Sequence, residues 1–201
     1  MNKSLILAAV LMAALATPGT AQDRDRKYEA GIRSAVILGT MKLSELDPAF
    51  EDLGPDGVKG PHMSGFFLTY RVRPWLRIGA ETLVSSSDPD TLTTMNYQAA
   101  GPIVELSTGN TWFISGGVHF GGVIVNAMAR QGAAPEEGAT QGSFYKGTGA
   151  FASASLDVGR RFGRTRISVF VKPVRVFGES DRGGLSAFNS SFSGVRVSLG
   201  L

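Results

Sequence analysis

The stretch from Phe66 to Val84 constrains this chain more than any other. It reads as two strands folded back on a short turn at Arg73-Pro74, since proline cannot donate to a sheet ladder and its fixed φ suits a turn. Beyond the turn, Leu76, Ile78, Ala80, Thr82 and Val84 fall on one face. Arg77, Gly79, Glu81, Leu83 and Ser85 fall on the other. That is strict period two, the spacing of a strand with unlike environments on its two sides. Repeated around the chain, the pattern builds a barrel with an apolar outside and a polar inside.

The pattern does recur. Strands are expected over Tyr28 to Met41, His62 to Val72, Trp75 to Ser86, Thr93 to Ser107, from Trp112 to about residue 129, Ser143 to Arg160, Thr165 to Phe177 and Ser190 to Leu201. The fourth alternates least clearly, across Ala99-Ala100-Gly101-Pro102. Pro173 in the seventh implies a bulge or a shift of register. Connections alternate in length. Those at 73–74, 108–110 and 161–164 are tight, whereas 42–61, 87–92, 130–142 and 178–189 are longer. One helical turn is expected near Ser44 to Phe50. An even number of strands, with tight turns at one end and longer loops at the other, is the pattern of an eight-stranded antiparallel up-and-down transmembrane β-barrel. Most strands exceed the nine to eleven residues that a tilted strand needs to cross hydrocarbon.

Residues 1–21 have a different character. Lys3, the apolar run Leu5 to Ala16 and the small residues up to Ala21 are laid out as a cleaved signal peptide. The barrel domain is then 22–201. Taking Lys3 from the 20 basic residues leaves 19 against 17 acidic, too even a balance to argue for nucleic acid. With no cysteine, disulfides and thiolate metal sites are excluded, and two histidines make a poor metal set. Glycine is abundant, 26 of 201 residues, and is spread through the strands rather than gathered in linkers. A soluble sandwich carries Lys, Glu and Thr on its solvent face. Here the second face carries Gly and Ser with a few charges, which suits the crowded interior of a narrow barrel. Tyr28, Trp75, Trp112 and Phe162 all fall beside the tight-turn end and form the expected aromatic girdle of one membrane interface.

On this pattern, from Tyr28 to Leu201, the chain resembles the small eight-stranded outer-membrane barrels of Gram-negative bacteria, the OmpA-like and OmpX-like group. The resemblance implies a bacterial outer-membrane location, contact with outer-membrane lipids and lipopolysaccharide, and insertion by the outer-membrane assembly machinery. Such barrels usually end in an aromatic residue, whereas this chain ends in Leu201.

Alternation sends Arg33, Arg71, Arg77, Glu81, His119, Asp157, Arg166, Lys172 and Arg196 into the lumen. Closure makes the first and last strands neighbours and brings Arg33 beside Arg196. Glu81 and Asp157 are then needed to neutralise the cluster, because unpaired buried charge is costly. Arg33, Glu81, Asp157, Lys172 and Arg196 are thus the expected structural ion-pair network. Arg71, Arg77, Arg166 and Asp157, close to the tight turns, are expected to reach water. No catalytic, cofactor or metal residues are assigned. The function expected is structural or surface-interacting, with any ligand held by the loops. The alternatives are a small gated pore, or a lipid A-modifying enzyme, a role known in barrels of this size. For the enzyme, His62 with Ser86 or Asp88 at the rim, or His119, would have to supply the base. Gly147-Thr148-Gly149 has the letters of a dinucleotide fingerprint but no helix after it.

Overall fold

A computed structural model of the chain describes residues 26–54, 61–87, 93–129, 144–180 and 183–201. The signal-peptide segment, Asp88 and the loop 130–142 lie outside them. Eight long strands, β1 (Tyr28–Ile37), β2 (His62–Arg73), β3 (Leu76–Ser86), β4 (Thr93–Thr108), β5 (Trp112–Ala129), β6 (Phe144–Phe162), β7 (Thr165–Phe177) and β10 (Ser190–Gly200), form one closed antiparallel barrel. Each strand pairs with its neighbours in sequence, and β1 closes the ring on β10, with Arg33 directly opposite Arg196. Two-residue strands β8 (Glu179–Ser180) and β9 (Gly183–Gly184) form a small hairpin between β7 and β10. Among the described residues, no helix is long and apolar enough to cross a membrane; the strands carry the fold.

The alternation of Phe66 to Val84 sets the wall. Phe66, Leu68, Ile78 and Val84 are exposed on the outside, while Arg77, Glu81, Leu83 and Ser85 are buried inside. The reversal occurs at Pro74-Trp75, one residue later than expected, next to a bulge between Arg71 and Arg73. Two other tight turns use glycine at positive φ, Gly109 at 91° and Gly163 at 56°, where a side chain would strain the backbone. β4 runs unbroken through Ala99-Ala100-Gly101-Pro102. Pro173 causes neither bulge nor register shift: the β6 ladder lapses beside it and resumes in the same register.

The interior departs from the expected polar lumen. Only its turn-end half is charged. In the loop-end half, Met95, Tyr97, Val123, Val125, Tyr145, Phe170, Val174, Val176 and Phe192 fill the bore. Two loop segments then cap it. β1 stops at Ile37, four residues earlier than expected, and the chain turns in over the mouth. Met41 and Leu53 pair there through N–H···O bonds of 2.7 and 3.1 Å, and Met41, Leu43, Phe50 and Leu53 are buried. A single 3-10 turn at Leu43–Glu45 replaces the expected helical turn. From the other side comes a second 3-10 turn, Leu185–Phe188, inside the segment read as plain loop. The Lys42 N–H donates to the Ala187 carbonyl at 3.1 Å and ties the two segments together. The fold therefore has water-avoiding side chains both outside the wall and under its cap.

Candidate functional site

The buried charges form two linked clusters in the turn-end half of the bore. Glu29 on β1 anchors the lower one. It lies 2.8 Å from Arg166 Nη1, 3.1 Å from Arg196 Nη2 and 3.3 Å from Arg77 Nε, and accepts a 2.7 Å bond from Ser198 Oγ. Glu105 on β4 faces the same three guanidinium groups from across the bore. Arg196 Nη1 hydrogen-bonds it, and Arg77 and Arg166 lie at 3.5 and 3.7 Å. Three arginines from three strands therefore share two carboxylates. Aromatic faces complete the packing, with Arg166 3.9 Å above Phe113 and Arg196 4.1 Å above Phe67.

The second cluster lies nearer mid-height. Arg33 Nε is 2.8 Å from Glu81 Oε1 and its Nη1 is 3.2 Å from Asp157 Oδ1. Lys172 Nζ donates to Glu81 Oε2 at 2.5 Å and lies 3.3 Å from His119 Nδ1. His119 Nδ1 is itself 3.2 Å from that same carboxylate oxygen, and its ring meets Phe151 edge-on at 4.6 Å. A 3.6 Å contact from Arg196 Nη1 to Asp157 joins the clusters. Five cations thus face four carboxylates.

Arg33, Glu81, Asp157, Lys172 and Arg196 all sit in this one constellation. Sequence reasoning did not place Glu29 or Glu105 in it, although these two hold the lower arginines. Glu29 was on the inward face of β1 by simple alternation; Glu105 belongs to the strand whose alternation was least clear. The expectation that Arg77, Arg166 and Asp157 reach water is corrected: all three are buried within the ion-pair clusters. Arg71 is half-buried.

The remaining candidates lie apart. Tyr28, Trp75 and Trp112 stand on the outer wall at the turn end, 51%, 56% and 65% exposed, with Phe162 half-buried at the same level and Tyr70 against Tyr28 at 5.2 Å. His62 and Ser86 are cross-strand partners on the outer face, but no side-chain hydrogen bond joins them. His119 is walled in at mid-bore, far from any rim serine. Among the described residues, no group of three or more metal-ligating side chains gathers.

No family model and no curated protein matches the sequence. Solved structures do match in shape. The crystal structure of Neisserial surface protein A (NspA) aligns with a TM-score of 0.58 at 9% identity, covering 87% of this chain and 96% of that one. The N-terminal β-barrel domain of Pseudomonas aeruginosa OprF aligns with a TM-score of 0.50 at 7% identity, covering 88% and 98%. The fold is that of the small eight-stranded outer-membrane barrels. At such identities the likeness extends to the wall and its connections. The clusters in the bore are read from this chain's own residues.

Proposed function

We propose that the protein is an outer-membrane β-barrel with a structural or surface-interacting role, its loop end being the working surface. The observation that carries this reading is the reversed distribution of polarity. Ile32, Phe66, Leu106, Ile114, Val118, Phe120, Leu156 and Val169 are exposed on the outside, while Arg33, Glu81, Glu105, Asp157 and Lys172 are buried inside. In water, such a wall would form a patch far larger than soluble monomers expose. In a bilayer it is the required surface, and ring closure satisfies the backbone groups that lipid cannot. The girdle of Tyr28, Trp75, Trp112 and Phe162 then marks the inner interface.

The contents of the bore favour a structural role over conduction. Charges locked in the lower half and apolar side chains in the upper half leave the loops as the part that meets the surroundings. The described part of the first loop presents Glu45, Asp47, Glu51 and Asp52. Membrane fractionation, followed by gel migration of unheated and boiled samples, tests the proposal. A closed barrel in the outer-membrane fraction with a boiling-dependent shift is the expected result. A chain that stays folded and monomeric in buffer without detergent overturns it.

A further inference from the structure

Among the described residues, the acidic groups left on the surface are sorted by height. Lys27, Arg73, Arg160 and Arg164 are exposed at the turn end, where Arg26, Arg71 and Arg161 are half-buried. Among the described residues, every Asp or Glu side chain near that end, namely Glu29, Glu105 and Asp157, is turned inward and buried. The loop end is mixed: Lys42, Lys146 and Arg175 face Glu45, Asp47, Glu51, Asp52 and Glu179. Among the described residues, the turn end therefore carries a collar of exposed cations and no exposed acidic side chain.

The collar coincides with the aromatic belt. Arg160 is the ladder partner of Trp112 and faces outward from the wall. Its guanidinium carbon lies 5.5 Å from the Trp112 ring and 5.1 Å from that of Phe162. Held between two rings, the planar group loses little freedom on binding and keeps its N–H edge for a ligand. That edge suits the paired oxygens of a phosphodiester. Arg164 is exposed in the adjoining turn. A soluble polyanion would need cations pointing along the barrel axis, whereas Arg160 points sideways at the height where lipid headgroups begin.

We propose that the turn-end collar is a binding surface for anionic phospholipid headgroups, centred on Arg160 with Arg164 from the adjoining turn. The proposal rests on the outer-membrane reading and names the lipid that this face selects. A cation near an anionic membrane surface changes affinity by roughly fivefold.

The test uses the purified barrel in neutral detergent, offered equal amounts of phosphatidylglycerol and phosphatidylcholine, with retained lipid counted by native mass spectrometry. Phosphatidylglycerol is expected to be retained in preference. The preference should fall roughly fivefold in Arg160→Gln and further in Arg160→Gln/Arg164→Gln, and survive largely in Arg160→Lys. Arg175→Gln, which removes an exposed cation at the other end, should leave it unchanged. Arg164→Gln, in an exposed turn, carries the test if Arg160→Gln does not fold. Equal retention of the two lipids overturns the proposal, as does an equal loss in Arg175→Gln. Binding of soluble polyglutamate without lipid preference also overturns it and assigns the collar to a polyanionic partner. Each sample is checked for its boiling-dependent gel shift. A normal shift without lipid preference defeats the collar alone, whereas absence of the shift in the parent chain defeats the membrane reading itself.

Discussion

Glu105→Gln isolates the electrostatics of the bore, because glutamine matches the shape of glutamate and leaves no cavity. In the parent barrel, Glu29 and Glu105 are shared by Arg77, Arg166 and Arg196. After substitution one carboxylate faces three guanidinium groups, all buried. Removing one partner from a buried ion cluster costs about 3–5 kcal/mol, since the charges left behind have lost both water and counterion. For a chain of this length, about 2–4 °C is lost per kcal/mol, so the midpoint of the boiling-dependent gel shift should fall by roughly 6–20 °C. Urea unfolding followed by the fluorescence of Trp75 and Trp112 gives the free energy directly. The charge argument also makes a sharper claim. Adding Arg77→Gln removes a cation from the unbalanced set, so the double variant should be more stable than the sum of the single losses by about 1–3 kcal/mol. The exposed pair Lys42–Glu45, at 3.4 Å with side chains 65% and 59% exposed, is the control; Lys42→Ala should cost less than about 1 kcal/mol. A loss below about 1 kcal/mol for Glu105→Gln, or strict additivity in the double variant, would refute the reasoning.

Other expectations concern the wall and the cap. Gly121 and Gly122 are neighbours with opposite fates. A Cβ at Gly121 would run into the Ala100 carbonyl, while one at Gly122 meets nothing within 4 Å. Gly121→Ala should therefore lower the urea midpoint by about 1–3 kcal/mol equivalent and Gly122→Ala by under about 0.5 kcal/mol. Val118 faces outward half-way between Trp112 and Ile124; Val118→Arg should cost about 2–4 kcal/mol for the barrel folded in vesicles. Phe188 is fully buried under the cap, so Phe188→Ala should loosen the arm around Lys42 and expose a tryptic site there that is slow in the parent chain. Lipid A mass spectra should be identical with the parent chain, with His62→Ala and with His119→Ala; a new lipid A mass that depends on either histidine would restore the enzyme reading.

What was legible in the sequence follows from which surfaces the surroundings police. The lipid-facing half of each strand has to be apolar along its whole crossing, so alternation against the charged residues of β3 and the serines of β6 fixed their faces residue by residue. The same logic brought Arg33 close to Arg196, since ring closure makes the first and last strands neighbours; their direct opposition is set by the register. The signal fades where both faces are apolar. On β5, Val123 and Val125 point inward while Ile124 points outward, so periodicity there carries no information about the interior. The apolar upper bore was therefore unreadable from the pattern alone. Its cap was unreadable for another reason. Met41, Leu43, Phe50 and Leu53 are scattered through a loop with no period, and only the return of Leu185–Phe188 from a sequence-distant segment gives them something to cover. Glu29 and Glu105 illustrate the same limit in the lower bore: each strand announces which way its carboxylate points, but not which arginines on the far wall share it.

The two halves of the bore also explain each other. Where the outer wall is at its most apolar, the interior is ionic. Near the loop end the outside of the wall gains Asn96, Gln98, Lys146 and Arg175, and the interior becomes apolar. Lipid imposes no need for an apolar core, because hydrocarbon outside is as good a solvent for Leu or Val as the bore, so inward positions are free to hold mutually neutralising charges. Once the wall rises into water that freedom ends, and stability again depends on burying apolar side chains as in any soluble barrel. On the outer-membrane reading proposed above, the changeover from the Glu81–Lys172–His119 group to the Val123–Val174–Phe192 layer would correspond to the level at which the barrel leaves hydrocarbon. That level would lie near Ile124, which pairs with the outward-facing Gln98, and would leave the part of β5 and β6 beyond it as a stalk for the loops. Labelling with a membrane-impermeant reagent checks this on cysteine variants of outward-facing residues: Asn126→Cys should react in intact vesicles, whereas Phe120→Cys should be protected.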